Sequence, residues 1–260
     1  MKLSETLNLK EKNIISIVGA GGKTTMMFTL GNELRKNHKI LITTTTKIFV
    51  PSLDQYDFLC TNKEEFSQTI KENKNGIYVF GSRISSENKI IGLEESQLDQ
   101  LIQEFDYVII EADGSKRKPL KGWNEREAVI YKKTNQTIAV LDISALGIEI
   151  QESNIHRIEK FCEISGGKIG EKVNQQHLIN MINHENGLFK NAIGEKILFI
   201  NKTESQKSIE NANKLIAKLK QKEKTQIEKY IVASLKNKTY KRTTKVWKYD
   251  KCNSHGFRIF

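Results

Sequence analysis

Cysteine is scarce in this chain, and the three that occur, Cys60, Cys162 and Cys252, stand far apart. An odd number of widely separated cysteines supports neither a disulfide framework nor a Cys-x-x-Cys metal site, so we expect reduced thiols. The five histidines are scattered too, without the i, i+4 pairs of helical zinc sites. Both scarcities argue against a metal centre built from cysteine and histidine.

Long apolar runs are also missing, since stretches such as Val108-Ile109-Ile110 fall far short of a membrane span. The opening segment, MKLSETLNLKEKN, has neither the apolar core nor the cleavage site of a secretion signal. No linker rich in Gly, Ser or Pro divides the chain, which has only two prolines. We therefore expect a cytoplasmic protein with no membrane partner, and the 38% hydrophobic content suits a packed core.

The net charge of +11 is concentrated near the C-terminus. Residues 214–251 hold 13 Lys and Arg against 3 Asp and Glu, whereas the remaining residues hold 29 against 28. Aromatic residues, which a single-strand nucleic-acid surface would use for stacking, interleave with these charges: Tyr230, Tyr240, Trp247 and Tyr249. Blocks of like charge are more often solvated faces, so nucleic acid is not the partner that we expect.

Short apolar, β-branched runs alternate with amphipathic segments along the chain. The runs predict strands over residues 13–18, 40–46, 77–80, 107–112, 137–142, 196–201 and 230–235. The amphipathic segments predict helices over residues 24–36, 94–103, 175–186 and 206–222. This alternation is typical of a doubly wound, mainly parallel α/β sheet, which binds ligands at the carboxyl ends of its strands.

The same patterns predict how the chain is divided. Residues 1–142 form the core with the phosphate and Mg²⁺ motifs, and residues 143–195 form a mostly helical insertion or subdomain without a clear strand. Residues 196–236 return to the core sheet, and residues 237–260 form a basic C-terminal segment.

A glycine-rich segment lies between the first predicted strand and the first predicted helix: Gly19, Ala20, Gly21, Gly22, Lys23, Thr24 and Thr25. The usual phosphate loop has its first glycine where Ile17 stands, so we interpret the segment as a shortened loop of the Mur ligase kind. Free backbone N–H groups and the helix dipole would hold phosphates, Lys23 would reach the β- and γ-phosphates, and the Thr24 hydroxyl would ligate Mg²⁺. A glycine-rich turn with a solvated lysine is the alternative.

A phosphate loop requires an acidic residue at the end of a neighbouring strand, and the stretch DYVIIEADGS supplies it. Glu111 directly follows an apolar run, and Glu111 with Gly114 resembles the Asp-x-x-Gly of nucleotide hydrolases. We predict that Glu111 holds Mg²⁺ with Thr24, and that Asp113 orients water or accepts a proton. Lys23, Glu111 and Asp113 are thus the predicted catalytic residues, although turn carboxylates also cap backbone N–H groups.

Two basic stretches fit an anionic ligand. The run ILITTTTKI carries Thr45 and Lys47, which would approach the phosphate loop if the second strand lay beside the first. The run SKRKPLK places a group of cations after Gly114: Lys116, Arg117, Lys118 and Lys121. Strand threonines and solvated basic loops are common, so the sequence leaves a structural explanation open for both stretches.

The stretch ILFINKTE ends a predicted strand with Asn201, Lys202 and Glu204. Guanine-binding proteins use Asn-Lys-x-Asp at this place, with the carboxylate on the edge of the base. The glutamate here is longer by one methylene, about 1.5 Å, so the sequence leaves the nucleotide open between ATP and GTP.

These motifs, with TTTTKI before Pro51, EADGSKRKPLK, HENGLFKNA and the His156-Arg157-x-Glu159 segment, resemble the YqeC family over about residues 12 to 235. That family comprises accessory proteins of selenium-dependent molybdenum hydroxylases. The resemblance implies a P-loop NTPase-like fold and a role in making or inserting the selenium-containing part of the hydroxylase cofactor. It also implies that His156 and Arg157 lie near the substrate, and that a molybdenum hydroxylase or its cofactor is a partner.

Together these features predict a Mg²⁺-dependent nucleotide-binding enzyme, an NTP hydrolase or a phosphoryl or nucleotidyl transferase. The shortened loop and the glutamate at position 111 leave a Mur-type ATP-dependent ligase as one alternative. A nucleotide-gated chaperone with little turnover is the other.

Overall fold

The computed structural model describes residues 1–72, 74–221 and 226–243, and it shows an α/β fold. The strands are, in chain order, β1 (Asn13–Gly19), β2 (Lys39–Thr44), β3 (Lys47–Phe49), β4 (Phe58–Cys60), β5 (Gly76–Phe80), β6 (Arg83–Ile84), β7 (Lys89–Ile91), β8 (Tyr107–Glu111), β9 (Leu120–Lys121), β10 (Gln136–Asp142), β11 (Ile155–His156), β12 (Glu195–Asn201), β13 (Lys229–Ser234) and β14 (Thr239–Arg242). The α-helices are α1 (Leu3–Leu7), α2 (Lys23–Leu34), α3 (Lys63–Lys71), α4 (Glu95–Leu101), α5 (Ile158–Ser165), α6 (Gln175–Asn183) and α7 (Gln206–Lys220).

Within the described residues, nine strands form the central sheet in the order β14-β13-β12-β10-β1-β8-β2-β5-β4. Neighbouring strands are parallel except at β13 and β14. Every residue of β1 and of β8 is buried, because helices cover both faces of a sheet of this kind.

Alternate residues of the central strands face two different cores. In β10, Ile138 packs in the cluster that contains Met27 of α2, whereas Ala139 packs in the cluster that contains Leu215 of α7. A third cluster joins α3 and α4 to β2, β5 and β8. The sheet is therefore covered on both faces, and polar residues gather at the carboxyl ends of its strands.

The seven predicted strands are all present in the central sheet, with their ends shifted by one or two residues. The predicted helices correspond to α2, α4, α6 and α7, and residue 222 of the last prediction lies outside the described residues. Strand β2 pairs with β8 and β5, so the condition stated for Thr45 and Lys47, that the second strand lies beside the first, is not met. A sheet of three very short strands, β3-β7-β6, was not predicted.

The region between β10 and β12 contains α5, α6 and β11, and β11 pairs with β9. These helices make up less than half of the region, and its status as a separate, mostly helical unit stays a prediction. No helix in the described part of the chain is long and apolar enough to span a membrane.

The aromatic residues considered for nucleic-acid stacking are placed as follows. Tyr230 and Tyr240 are buried, at 5% and 6% exposure, and so are not available to unstacked bases. Trp247 and Tyr249 lie outside the described residues.

Candidate functional site

An open cleft of about 1130 Å³ lies at the carboxyl edge of the sheet. Its lining includes fourteen of the residues predicted from the sequence: Gly21, Gly22, Lys23, Thr24, Thr25, Lys47, Glu111, Gly114, Lys116, His156, Arg157, Asn201, Lys202 and Glu204. Five others do not line it: Gly19, Ala20, Thr45, Asp113 and Lys121. The sequence motifs therefore converge on one cleft, and part of the predicted set lies behind its wall.

The glycine-rich loop connects β1 to α2 and lies flat against the ends of two other strands. Gly21 has a φ of +86°, and a Cβ there would come within 2.3 Å of the Asp142 Cβ at the end of β10. Gly22 has a φ of +138°, and a Cβ there would come within 2.5 Å of Asn201 Nδ2. Only glycine combines these backbone angles with so close an approach.

Backbone donors are concentrated where α2 begins. The first intrahelical bond reaches back to the loop from Met26 N–H to Gly22 O, at 2.9 Å. The five N–H groups of residues 21–25 donate to no other group among the described residues. Free N–H groups at the positive end of a helix dipole form an anion-binding site.

The side chain of Lys23 folds back towards the acidic end of β8. Its Nζ donates to Gly19 O at 2.7 Å, and it lies 3.3 Å from Asp113 Oδ1 and 3.7 Å from Glu111 Oε1. The Gly19 N–H in turn donates to Asp113 Oδ1 and Oδ2, at 3.1 and 3.0 Å. The loop and the end of β8 are thus locked together through Asp113.

Asp113 is fully buried, and a second cation holds it from behind. Lys121 Nζ lies 3.1 Å from Asp113 Oδ2 and 2.9 Å from Glu127 Oε2, and it donates to Gly114 O at 2.6 Å. Trp123 Nε1 donates to the same Asp113 Oδ2 at 2.8 Å, and Arg157 pairs with Glu127. This buried network links the wall of the cleft at Arg157 to the base of the phosphate loop.

The pKa values of the three central ionisable groups, Lys23, Asp113 and Glu111, are shifted in different directions. Burial disfavours the charged form of each, but for Lys23 the Asp113 and Glu111 carboxylates outweigh it and raise the pKa. Lys23, Lys121 and the Gly19 and Trp123 N–H groups likewise outweigh burial at Asp113 and lower its pKa. For Glu111, burial prevails over Lys23 and the Thr24 hydroxyl, and its pKa is raised.

Thr24 and Glu111 offer the oxygen ligands that Mg²⁺ prefers. Thr24 Oγ1 donates to Glu111 Oε2 at 2.8 Å, so one ion can reach both oxygens. No group of three or more His, Cys, Asp or Glu side chains suited to a metal occurs in the described ranges. Mg²⁺ usually keeps several waters and takes one or two protein oxygens at phosphate sites, so this pair fits it.

The end of β12 supports the loop from the other side. Asn201 Nδ2 donates to Gly21 O at 2.8 Å, and its Oδ1 accepts from Leu235 N–H at 3.1 Å. Glu204 is exposed, and its Oε1 accepts from Ser234 Oγ at 2.6 Å. The Asn201 amide therefore braces the phosphate loop in this structure, and Glu204 remains at the surface of the cleft.

Sequence reasoning missed two acidic residues of the site. Asp142 is fully buried beneath Gly21, 2.5 Å from Lys202 Nζ, and like Glu111 it ends an apolar strand, a signal that could have found it. Glu127 joins Lys121 to Arg157 from a loop and carries no recognisable motif. Thr45, which was predicted to bind the ligand, donates through Oγ1 to Val129 O at 2.6 Å.

His156 lines the cleft, and its imidazole has a strongly shifted pKa. Burial, followed by the charges of Arg157, Lys121 and Lys116, lowers its pKa to about 4. Between about pH 6.5, the pKa of histidine in an unfolded chain, and about pH 4, His156 is protonated in the unfolded chain but neutral in the folded protein. We therefore expect the free energy of unfolding to fall by at most about 3 kcal/mol over this interval as pH decreases.

NMR titration of the imidazole, together with urea unfolding at about pH 7 and about pH 4, checks this prediction. The His156→Gln variant should lose that part of the pH dependence, and the His184→Gln variant should keep it. A midpoint near 6.5 for His156 in the folded protein would contradict it.

The fold and the site define an α/β protein with a mainly parallel sheet and a cationic cleft at its carboxyl edge. A family model described as YqeC protein matches residues 15–159. The "Uncharacterized protein YqeC" of Escherichia coli (strain K12) is 32% identical over 198 residues, which cover 74% of this chain and 77% of that protein. The chain belongs to the YqeC family, as its motifs predicted. No solved structure matches it.

Proposed function

We propose that the protein is a P-loop NTPase-like, Mg²⁺-dependent nucleotide-binding enzyme. The observation that carries this proposal is the row of free backbone N–H groups at residues 21–25, beside the Lys23 ammonium. A triphosphate is the ligand that uses both at once, because the backbone surrounds its oxygens and the lysine neutralises charge.

Each residue has a distinct role in this proposal. Lys23 leaves Gly19 O to reach the β- and γ-phosphates, and it neutralises charge as the terminal phosphoryl group departs. Thr24 and Glu111 hold Mg²⁺, which supplies charge stabilisation on the phosphate oxygens. Asp113 is buried and already accepts from Gly19, Lys121 and Trp123, so we assign it to positioning the loop instead of orienting an attacking oxygen.

The base of the nucleotide occupies the β12 side of the cleft in this proposal. Lys202, Glu204, Leu235 and Lys236 line that side. Because the Asn201 amide braces Gly21, recognition of the base falls to Glu204 and to backbone groups near it, and both ATP and GTP remain candidates.

The biological role in the proposal follows from family membership and from the resemblance described above. The enzyme acts in maturation of the selenium-containing cofactor of a molybdenum hydroxylase, which is its partner directly or through that cofactor. A Mur-type ATP-dependent ligase is the second candidate, and the breadth of the cleft favours it, because a ligase must hold an acceptor beside its nucleotide.

Thermal unfolding with ATP, GTP and CTP, each with and without Mg²⁺, tests the proposal. We expect one nucleotide to raise the melting temperature of the wild type only when Mg²⁺ is present. The Thr24→Val variant should lose the Mg²⁺-dependent part, because it keeps the shape of the side chain but loses the metal ligand.

The matched control is Thr29→Val, one turn along α2, where the hydroxyl donates to Thr25 O at 2.7 Å. It should respond to Mg²⁺ and nucleotide as the wild type does. Absence of any shift with all three nucleotides would refute the nucleotide site. Release of both ADP and inorganic phosphate that requires a second compound would favour the ligase, because a phosphoryl transferase would leave the phosphoryl group on that compound.

A further inference from the structure

The cleft carries more positive charge than one nucleotide neutralises. Among the residues that the structure describes, nine Lys and Arg line it, against three Glu. A nucleoside triphosphate with its Mg²⁺ retains about two negative charges. Several cations are therefore left over, and a second anionic ligand would match them.

Five of these cations have no carboxylate within ion-pair distance in the described part of the chain: Lys47, Lys116, Arg117, Lys118 and Lys236. The Lys118 ammonium donates to Ile155 O at 3.2 Å, and Lys236 follows β13 on the base side of the cleft. The other three, Lys47, Lys116 and Arg117, are exposed on the opposite side. By contrast, Lys89 pairs with Glu87, and Arg157 pairs with Glu127.

Two of the three cations sit in a backbone conformation that suits them poorly. Lys118 N–H donates to Ser115 O at 3.0 Å, closing a tight turn in which Lys116 has a φ of +49° and Arg117 a φ of +61°. Turns with two central residues at positive φ are formed most readily by Asn-Gly, since a Cβ is disfavoured there. Unfavourable backbone of this kind clusters at ligand sites.

An aromatic ring lies beside these cations. The Arg117 guanidinium stacks on Phe49, with its Cζ 4.0 Å from the ring centroid, and Lys89 Nζ lies 5.0 Å from the same centroid. Phe49 is 42% exposed. An exposed phenyl ring and a planar guanidinium form a flat surface of the kind on which unsaturated rings stack.

The strand order places this group opposite the base of the nucleotide. Strand β12, on the side of the base, is two strands from β1 in one direction. Lys47, just after β2, is two strands from β1 in the other direction. With neighbouring strands about 4.8 Å apart, each separation is about 10 Å. The terminal phosphate, near Lys23 and Glu111 between β1 and β8, would therefore face the cation group.

We propose that Lys47, Lys116, Arg117 and Phe49 bind the second substrate, a small organic phosphate with a flat, unsaturated ring. The inference rests on the proposed function, because it places an acceptor next to the terminal phosphate. Three unpaired cations match a doubly charged phosphate better than a single carboxylate, and the Arg117–Phe49 stack matches a ring.

The test uses flavin mononucleotide as a fluorescent probe that combines a phosphate with a flat ring. The full-length protein is first saturated with Mg²⁺ and the non-hydrolysable analogue, AMP-PNP or GMP-PNP, of the nucleotide that stabilises it. The Lys116→Asn, Arg117→Gly double variant removes both charges and installs the favoured turn residues. We expect it to weaken flavin binding at least about 10-fold while raising the melting temperature by a few °C.

Two further variants separate charge at the site from other effects. Lys12→Asn is the control, because it removes one charge at another lysine with positive φ, at the amino end of β1. It should leave flavin binding unchanged. Phe49→Leu should weaken flavin binding several-fold without changing the binding of ribose phosphate, which has no flat ring.

Three results would overturn the inference: flavin binding that occurs only when the nucleotide analogue is omitted, wild-type flavin binding in the double variant, or no flavin binding at millimolar concentration. Equal affinity for flavin mononucleotide and ribose phosphate would overturn the ring requirement. Flavin binding that is lost in the double variant, in a protein that binds no nucleotide, would refute the proposed function and leave the anion site standing.

Discussion

Replacement of Lys121 by methionine is expected to lower the free energy of unfolding by about 3–5 kcal/mol. The ammonium is fully buried and holds Asp113, Glu127 and the Gly114 carbonyl. Methionine fills a similar volume, so the loss comes from the buried carboxylates that are left with fewer partners and not from a cavity. Urea denaturation at neutral pH measures it directly.

The matched control is Lys132→Met. Lys132 also lies 2.9 Å from two carboxylates, Glu95 and Asp99, but its side chain is 55% exposed. Exposed pairs contribute about 0–1 kcal/mol, so this variant should be close to the wild type. Equal losses for the two lysine variants would contradict the buried network.

The second large effect concerns the nucleotide. At about 100 times its Kd, a ligand that binds only the folded state adds about 2.7 kcal/mol, or roughly 5 to 10 °C for a domain of this size. We expect Lys23→Ala to abolish this increment, because the alanine neither reaches the phosphates nor offsets their charge. Calorimetry of the wild type and the variant, with Mg²⁺ and each nucleotide, measures the increment.

Lys23→Ala also changes the protein without ligand, since Asp113 and Glu111 lose a buried cation. The nucleotide-induced shift must therefore be taken relative to each variant's own melting temperature. Lys23→Gln provides a second comparison, because its amide can still donate to Gly19 O while the charge is gone. If Lys23→Ala and the wild type gained equal stability from nucleotide, the loop would not be the phosphate site.

The sequence predicted the central sheet well because its parallel strands are buried on both faces and read as continuous apolar runs. It did not predict the strand order, since periodicity carries no information about which strands are neighbours. The insertion of β8 between β1 and β2 brings Glu111 next to the phosphate loop. The strands β3, β6 and β7 escaped notice because two or three residues are too few to show a pattern.

The residues of the cleft were largely predictable from motifs, but their depth was not. A lysine in a basic loop usually lies at the surface. Lys121, like Lys116, was therefore expected to be accessible to an anionic ligand. Its burial depends on Glu127 and Trp123, whose positions no motif marks. Asp113 was likewise predicted to be catalytic, because the sequence does not show how many hydrogen-bond donors surround its carboxylate.

The path of the last described strand bears on how the protein can be handled. β13 runs towards the cleft, β14 returns from it, and Thr243 N–H donates to Tyr230 O near the start of β13. Helix α1 lies near the amino end of β13, away from the cleft, where Lys229 Nζ donates to Leu7 O. A sensor surface that captures the protein through α1 would thus present the cleft to the flowing solution, so that small anions could be titrated without obstruction.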